Sequence, residues 1–587
     1  MKKYFLSLIP ILLYAISLIA QEKKYSDIYD LNFKMQADST FEFFYPWKPN
    51  HTNAFDGISK NPQDPYFMRC FIINPFMKTF ESVHYHQILM PEGEFKKADL
   101  SLTIKGNKIK SLKWEIEGLD SQENAVFKKS ETFDVDTVFH TIRQQVALSD
   151  VVYLKMALQV TGEKESNAHI FFKNTTIDLD GKSIDDFPVR VPDQSAFPVS
   201  PAIQPLNMGQ AGFSQIEEFN KGDIIGLGET VHGNKSINSL VDYMIRDQIL
   251  SGNTQLVLLE RPIWKIFSLN RYIRNLDIDS SNVDFLDEKL RPLIDFLKQY
   301  NAGKENSEQV RLGGVDVSPE NMYFFDYLIN VNKTLNSSLL DQLAILVMEN
   351  KMTEVRDLLN KQQDSLEQLL TKEDFQYLSY AVNQAIDLIN SGSPDTQNRD
   401  SVMSVNSAYF IDHFNPSGKK VFIYAHTVHL NPKNTYPTPP CTPLGGYLKE
   451  IYKDRYRNFL LTSDGGKIKV RNVQMDLVNK SLSTEKAGSI EAYLKNRHKG
   501  NALYLPMTSD FDQVMLFRMN GLMADNYDFF PLNLYSRYDG VFYIKNQEQT
   551  NEPGAEEIID PQQLIMHARK QIESRTQIYN ELKKNQL

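Results

Sequence analysis

The stretch Asp223-Ile224-Ile225-Gly226-Leu227-Gly228-Glu229-Thr230-Val231-His232-Gly233 decides the architecture of this 587-residue chain. An apolar run ends abruptly in an acid and a histidine. Such a short run reads as a strand buried on both faces, here from Asp223 to Leu227. Comparable runs recur at Gln255 to Leu259, Val310 to Val315, Lys420 to Ala425 and Arg457 to Thr462, with helical patterns between them. This alternation implies an α/β fold with a mainly parallel sheet flanked by helices. Between Val331 and Asn390 there is no Gly and no Pro, and Val355, Leu358, Leu359, Leu366, Leu369 and Leu370 recur at helical spacing. An all-α insertion is therefore expected at about 319–415, inside a domain spanning 213–546.

Toward the N-terminus the pattern changes. From Lys24 to Ala196, short aromatic and β-branched runs such as Phe41-Glu42-Phe43-Phe44-Tyr45 and Ala168-His169-Ile170-Phe171-Phe172 are separated by polar turns. This predicts a preceding β-sandwich domain over 21–196, with Leu100, Leu102 and Ile104 alternating onto one buried face. Five prolines between Phe187 and Leu206 interrupt regular structure and place a linker at 197–212. Lys2 and Lys3, an apolar run from Phe5 to Ile19 and polar Gln21-Glu22 read as a signal peptide at 1–20. The mature chain is then expected to be exported, periplasmic or extracellular, with no membrane contact after signal cleavage. The tail, 547–587, reads as a polar linker and a charged, peripheral C-terminal helix.

Composition narrows the function classes. With 41% hydrophobic and 24% charged residues the chain is an ordinary globular protein, not a disordered, collagenous or polytopic membrane one. Its 64 Lys+Arg against 74 Asp+Glu leave a net charge of -10, a poor footprint for a phosphate backbone, so no nucleic-acid partner is expected. Two cysteines, Cys70 and Cys441, build neither a disulfide framework nor a zinc cluster.

In open parallel sheets, ligands collect at the carboxyl ends of strands. Four predicted strands end there in ionisable residues: Glu229 with His232, Glu260, Asp316, and His426 with His429 three residues on. Blander readings exist. Glu229 and His232 would cap the helix beginning near Asn234, and Asp316 reads equally well as the N-cap of a helix starting near Pro319. His84, His86 and His140 fall in the β-rich region and read as structural, and His413 belongs to a helix. Gly226-Leu227-Gly228-Glu229-Thr230-Val231 lacks the third glycine of a dinucleotide fingerprint, and no G-x-S-x-G, Walker A or H-E-x-x-H motif occurs.

At these residues the sequence resembles the erythromycin esterase family. Its G-E-x-x-H-G stands at Gly228 to Gly233, its strand-ending L-E at Leu259-Glu260, and its A-H-x-x-H at Ala425 to His429. Arg399-Asp400 with Met403 and Asn406 is similar to the family's R-D-x-x-M-x-x-N, and Asp539-Gly540-Val541 to its last strand. Thr230-Val231 and Thr427 depart from the usual Ala-Thr and Asn. The resemblance implies hydrolysis of an ester, a macrolactone or a related small molecule, the family's namesake activity being cleavage of erythromycin in antibiotic resistance. It implies His232 as general base, Glu229 or Glu260 as its carboxylate partner, and His426, supported by His429, at the carbonyl or leaving oxygen. Arg399, Asn406 and Asp316 are the expected substrate-binding residues, with no cofactor and no metal. The helical insertion is expected to overhang the cleft as a lid. Two other readings stay open. One is a metal-dependent hydrolase or peptidase using the same His/Glu cluster; the other is a non-catalytic glycan- or peptide-binding protein.

Overall fold

In the computed structural model the chain divides into two compact units, Met1–Pro192 and Asp193–Leu587. The described residues run from 24 to 586, leaving out 32–46, 50–56, 61–67, 73–80, 164–167, 193–196, 198–202, 209–211, 214–215, 280–289, 318–320, 392–395, 416, 435–441, 472–476, 484, 498, 520–528 and 547–555. The expected signal peptide, the aromatic run at 41–45 and Cys441 lie outside the described residues.

The first unit is built from antiparallel strands. One sheet orders Lys48–Pro49, Glu81–Leu89, Tyr153–Gly162, Ile109–Leu119 and Ala125–Phe133; the other orders Gly57–Lys60, Met68–Ile72, Ala168–Leu179, Lys97–Asn107 and His140–Ala147. The alternation read in the sequence holds, with Leu100, Leu102 and Ile104 all buried. Inner faces meet where Gln144 Nε2 donates to the Trp114 carbonyl at 2.8 Å and where the His84 and Phe172 rings lie 6.0 Å apart. Burial lowers the pKa of both His84 and His86 to about 3, so each is a neutral member of this core. His140 faces the carbonyls of Val138 and Asp134 at 3.3 and 3.2 Å.

The second unit is organised by one sheet. Its strands are β1 (Gln204–Pro205), β2 (Ile224–Glu229), β3 (Thr254–Pro262), β4 (Arg311–Asp316), β5 (Lys420–His426), β6 (Tyr456–Ser463), β7 (Ala502–Pro506) and β8 (Gly540–Ile544). They lie in the order β1-β7-β8-β6-β2-β5-β3-β4. From β8 to β4 all pairings are parallel, and β7 and β1 add antiparallel at the other edge. Every residue of β2 is buried, because helices cover both faces and neither face needs polar side chains.

On one face α1 (Lys235–Leu250) and α3 (Arg291–Asn301) place Leu240, Met244, Leu293 and Leu297 against Leu227, Val257 and Phe422. Between them in the chain, α2 (Ile263–Ile273) divides its side chains, Ile266 and Leu269 joining that core while Trp264 and Phe267 join the opposite one. The insertion forms the second layer: α4 (Met322–Leu335), α5 (Ser338–Met348), α6 (Met352–Lys361), α7 (Gln363–Leu369), α8 (Lys372–Ser391) and α9 (Thr396–Phe414). Its foreseen stripe, Val355, Leu359, Leu366 and Leu370, is buried in one core with Leu256, Leu258, Val421 and Ile423 of the strands. The insertion thus shares a core with the strands, its last helix α9 lying against β4 while α6 and α7 pack on α5 and α8.

After β5 come α10 (Thr427–Leu430) and α11 (Leu444–Tyr452), and the chain ends in α12 (Pro561–Gln586). The last helix is less peripheral than its charge suggests. Ile578, Tyr579 and Leu582 pack on the insertion core, Arg575 Nε donates to Asp326 Oδ1 at 2.8 Å, and the Tyr579 hydroxyl donates to Glu349 Oε1 at 2.9 Å. No helix among the described residues is long and apolar enough to cross a membrane.

Candidate active site

Sheet order assembles the site. Because β2, β5, β3 and β4 are consecutive neighbours, their carboxyl ends set Glu229, His426, Glu260 and Asp316 in one row, with Glu229 directly opposite His426 in the register. Two glycines make this geometry local. Gly233, at φ +69°, turns the chain from His232 into α1. A Cβ on Gly228 would lie 3.1 Å from Thr427 Cα, so glycine lets the turn after β5 close over β2.

His232 Nδ1 donates to Glu229 Oε1 at 2.7 Å. That bond fixes the neutral tautomer and leaves Nε2 as the proton acceptor. The capping alternative is answered by Asn234, whose Oδ1 accepts from Ile237 N at 3.1 Å and so caps α1 itself. The His232 ring lies 4.5 Å from that of His426, centroid to centroid, with 35° between the planes. The His426 backbone N–H in turn donates to Glu260 Oε2 at 2.7 Å.

Arg399, reaching in from α9, ties the rest together. It donates to both Asp316 oxygens, at 2.8 and 2.9 Å, and to Glu260 Oε1 at 2.9 Å. Its Nη1 also lies 2.9 Å from His429 Nε2. His429 Nδ1 donates to Asp400 Oδ1 at 2.8 Å, and Asp400 accepts the Leu444 N–H at 3.0 Å. Asp316 Oδ1 additionally accepts from Val317 N at 2.7 Å; it does not cap α4, which begins behind Asn321.

Electrostatics follow from this wiring. Burial opposes charge on His232, yet the hydrogen bond and charge of Glu229, aided by Glu260 and resisted by Arg261, raise its pKa above the usual 6.5. Burial alone would raise the Glu260 pKa; His429, His232 and Arg399 overcome it and hold this carboxyl well below the ordinary range. For His429, burial is outweighed by Glu260 and Asp400, and its pKa is raised. The Arg399 contact pulls the other way, because a guanidinium only donates and the bond to Nε2 forms with the neutral ring. The carboxylates outweigh it, since two of them face one guanidinium, and Glu260 Oε1 lies 3.4 Å from Nε2.

Seven of the eight residues singled out in the sequence are thereby joined: Glu229, His232, Glu260, His426, His429, Arg399 and Asp316. Asn406 is placed differently. It is 1% exposed, its Nδ2 donates to the Val315 carbonyl at 2.8 Å, and its Oδ1 accepts from Tyr380 at 2.7 Å, so both ends of its amide brace β4 against the insertion. His429 and His426 are linked through Glu260. Two residues escaped the sequence reading as site members. Asp400 was visible in the R-D pair, whereas Tyr424 lies inside an apolar strand run where nothing marks it. The Tyr424 hydroxyl bonds Glu229 Oε2 and lies 2.7 Å from Asn238 Oδ1.

Among the described residues no group of three or more His, Cys, Asp or Glu is arranged to hold a metal ion. The donor atoms explain this arrangement: Arg399 stands where Glu260, Asp316 and His429 converge, the place a cation would take, and His232 Nδ1 is spent on Glu229.

No protein-family model and no curated protein matches the chain. Among solved structures it is similar to a protein from Bacillus cereus, at 17% identity and a TM-score of 0.44, over 59% of this chain and 95% of that one. A succinoglycan biosynthesis protein is similar at 15% identity and 0.44, over 59% and 94%. An erythromycin esterase mutant, EreC, in its open conformation is similar at 16% identity and 0.36, over 60% and 96%. No residue role follows from likenesses of this size.

Proposed function

We propose that the second unit is an ester hydrolase in which His232 activates water, within an exported protein acting on a small-molecule ester. The observation that carries this reading is the Glu229–His232 pair, with Nδ1 fixed at 2.7 Å and Nε2 turned to accept. His232 Nε2 takes a proton from water as the water oxygen adds to the ester carbonyl; the tetrahedral oxyanion collapses, the C–O bond to the alcohol breaks, and a proton returns to the leaving alkoxide. Glu229 stabilises the imidazolium formed in between. The His426 ring beside His232 supplies the donor for the oxyanion or the leaving oxygen. Glu260 stays ionised and, through the His426 amide, fixes that residue. No step needs a metal, since Arg399 already supplies positive charge among the carboxylates. Export rests on the first twenty residues alone.

The test is mass spectrometry of erythromycin and a panel of simpler esters and peptides incubated with purified protein, with and without chelator. Gain of one water on an ester despite chelator is the expected result. Turnover only with added metal, or only on peptides, overturns the role given to His232.

A further inference from the structure

Glu229 has two oxygens, and only one is used by His232. The other faces the hydroxyl of Tyr424, a residue 6% exposed on β5, and that hydroxyl also lies 2.7 Å from Asn238 Oδ1 on α1. One hydroxyl proton cannot serve both oxygens. A carboxylate is the stronger acceptor, so the proton goes to Glu229, and the Asn238 amide, after a half-turn, offers its own N–H to the phenol oxygen. Glu229, Asn238 and Tyr424 are all buried, so this chain of bonds is largely shielded from solvent, and the three residues line one small cavity with Gly233, Glu260 and Arg261.

Resting on the proposed role of His232, we infer that Tyr424 is a positioning residue: held by Asn238, it fixes the Glu229 carboxylate and sets the basicity of the His232 imidazole. Without the phenol bond the charge on Glu229 is less dispersed and attracts a proton on His232 more strongly, so the imidazole becomes harder to deprotonate. The charged and titratable groups facing His232 are Glu229 on β2, Glu260 and Arg261 on β3, and His426 on β5. None of these is altered by Tyr424→Phe, which removes only the hydroxyl.

The probe is diethyl pyrocarbonate, which acylates unprotonated imidazole, with modification of the His232 peptide followed by mass spectrometry from pH 5 to 9. In Tyr424→Phe the midpoint at His232 should move up by about half to one pH unit, a roughly three- to tenfold loss of reactive imidazole below the midpoint. Asn238→Ala should move it less, in the same direction. An unmoved or lowered midpoint in a Tyr424→Phe protein with wild-type circular dichroism overturns the inference. The hydrolase reading fails separately, when His232→Ala retains turnover, and that result leaves the labelling midpoint as the arbiter of the Tyr424 role.

Discussion

Replacing Glu229 by Gln is the sharpest perturbation of this site. The substitution keeps the shape of the side chain and an oxygen for the His232 Nδ1 proton, but removes the charge 2.7 Å from that nitrogen. A hydrogen bond to a charged group contributes about 1.5–3 kcal/mol, and each pKa unit corresponds to about 1.4 kcal/mol. The His232 pKa, raised in the native protein chiefly by this partner against the effect of burial, should fall by about 1–2 units. A general base must be unprotonated, so the acid limb of kcat/KM, expected above 6.5 with native Glu229, should shift down by the same amount. On the plateau the imidazolium of the transition state loses the same stabilisation, and turnover should drop about 10- to 100-fold. The assay is a pH–rate profile from pH 4 to 9 on whichever ester the panel identifies. A limb that stays in place or moves up, or a plateau that keeps wild-type turnover, would refute the assignment of Glu229 as partner of the base.

The other expectations follow from the same contacts. His232→Ala removes the base outright and should lower kcat by about 10²- to 10⁴-fold with the fold intact; equal rates for mutant and wild type would end this reading. Because the folded pKa of His429 is raised, its contribution to stability is complete below about pH 6.5 and declines as the pH rises above it; Asp400→Asn should flatten that decline, which melting curves between pH 6 and 9 would reveal. Arg399→Ala strands two carboxylates. Breaking a buried pair costs about 3–5 kcal/mol, discounted to about 2–3 because the Arg399 side chain is 32% exposed, and Arg399→Lys should recover only part of it; unchanged unfolding midpoints in urea would contradict the bridging role.

The strand-end residues were legible because each follows a run of apolar residues and the polarity change is abrupt. Glu229, Asp316 and His426 terminate strands that the sequence marks, Glu260 stands two residues before the end of β3, and the alternation at Leu100, Leu102 and Ile104 was equally plain. Residues whose role depends on a partner far along the chain were not legible. Asn406 carries the same polar side chain whether it binds a substrate or satisfies the Val315 carbonyl, and only the buried contacts distinguish the two. Tyr424 sits among Phe422, Ile423 and Ala425, where an aromatic ring is the ordinary filling of a strand; its hydroxyl gains meaning from Glu229 and Asn238, 195 and 186 residues away. Helical periodicity likewise shows that an apolar stripe exists but not which surface it covers; here Val355 and Leu366 lie on helices that pack on the neighbouring helices of the insertion.

The order of strands explains why the insertion must take part in the site. After β2 the chain steps outward through β3 to β4 at the edge, then returns to place β5 between β2 and β3. That return puts His426 next to Glu229 on one side and leaves its amide facing Glu260 on the other. The segment making it is the helical insertion, so its last helix, α9, has to approach the carboxyl edge before β5 can begin. Arg399 and Asp400 mark that approach. Arg399 binds the ends of β3 and β4, and Asp400 binds His429 in the turn that follows β5. The guanidinium stands between the two carboxyl groups of Glu260 and Asp316 and fixes their spacing with directed bonds. The helical layer therefore supplies, through Arg399, part of the positive charge that holds the Glu260 carboxyl well below its ordinary range, and Glu260 is in turn one of the groups that raise the pKa of His232.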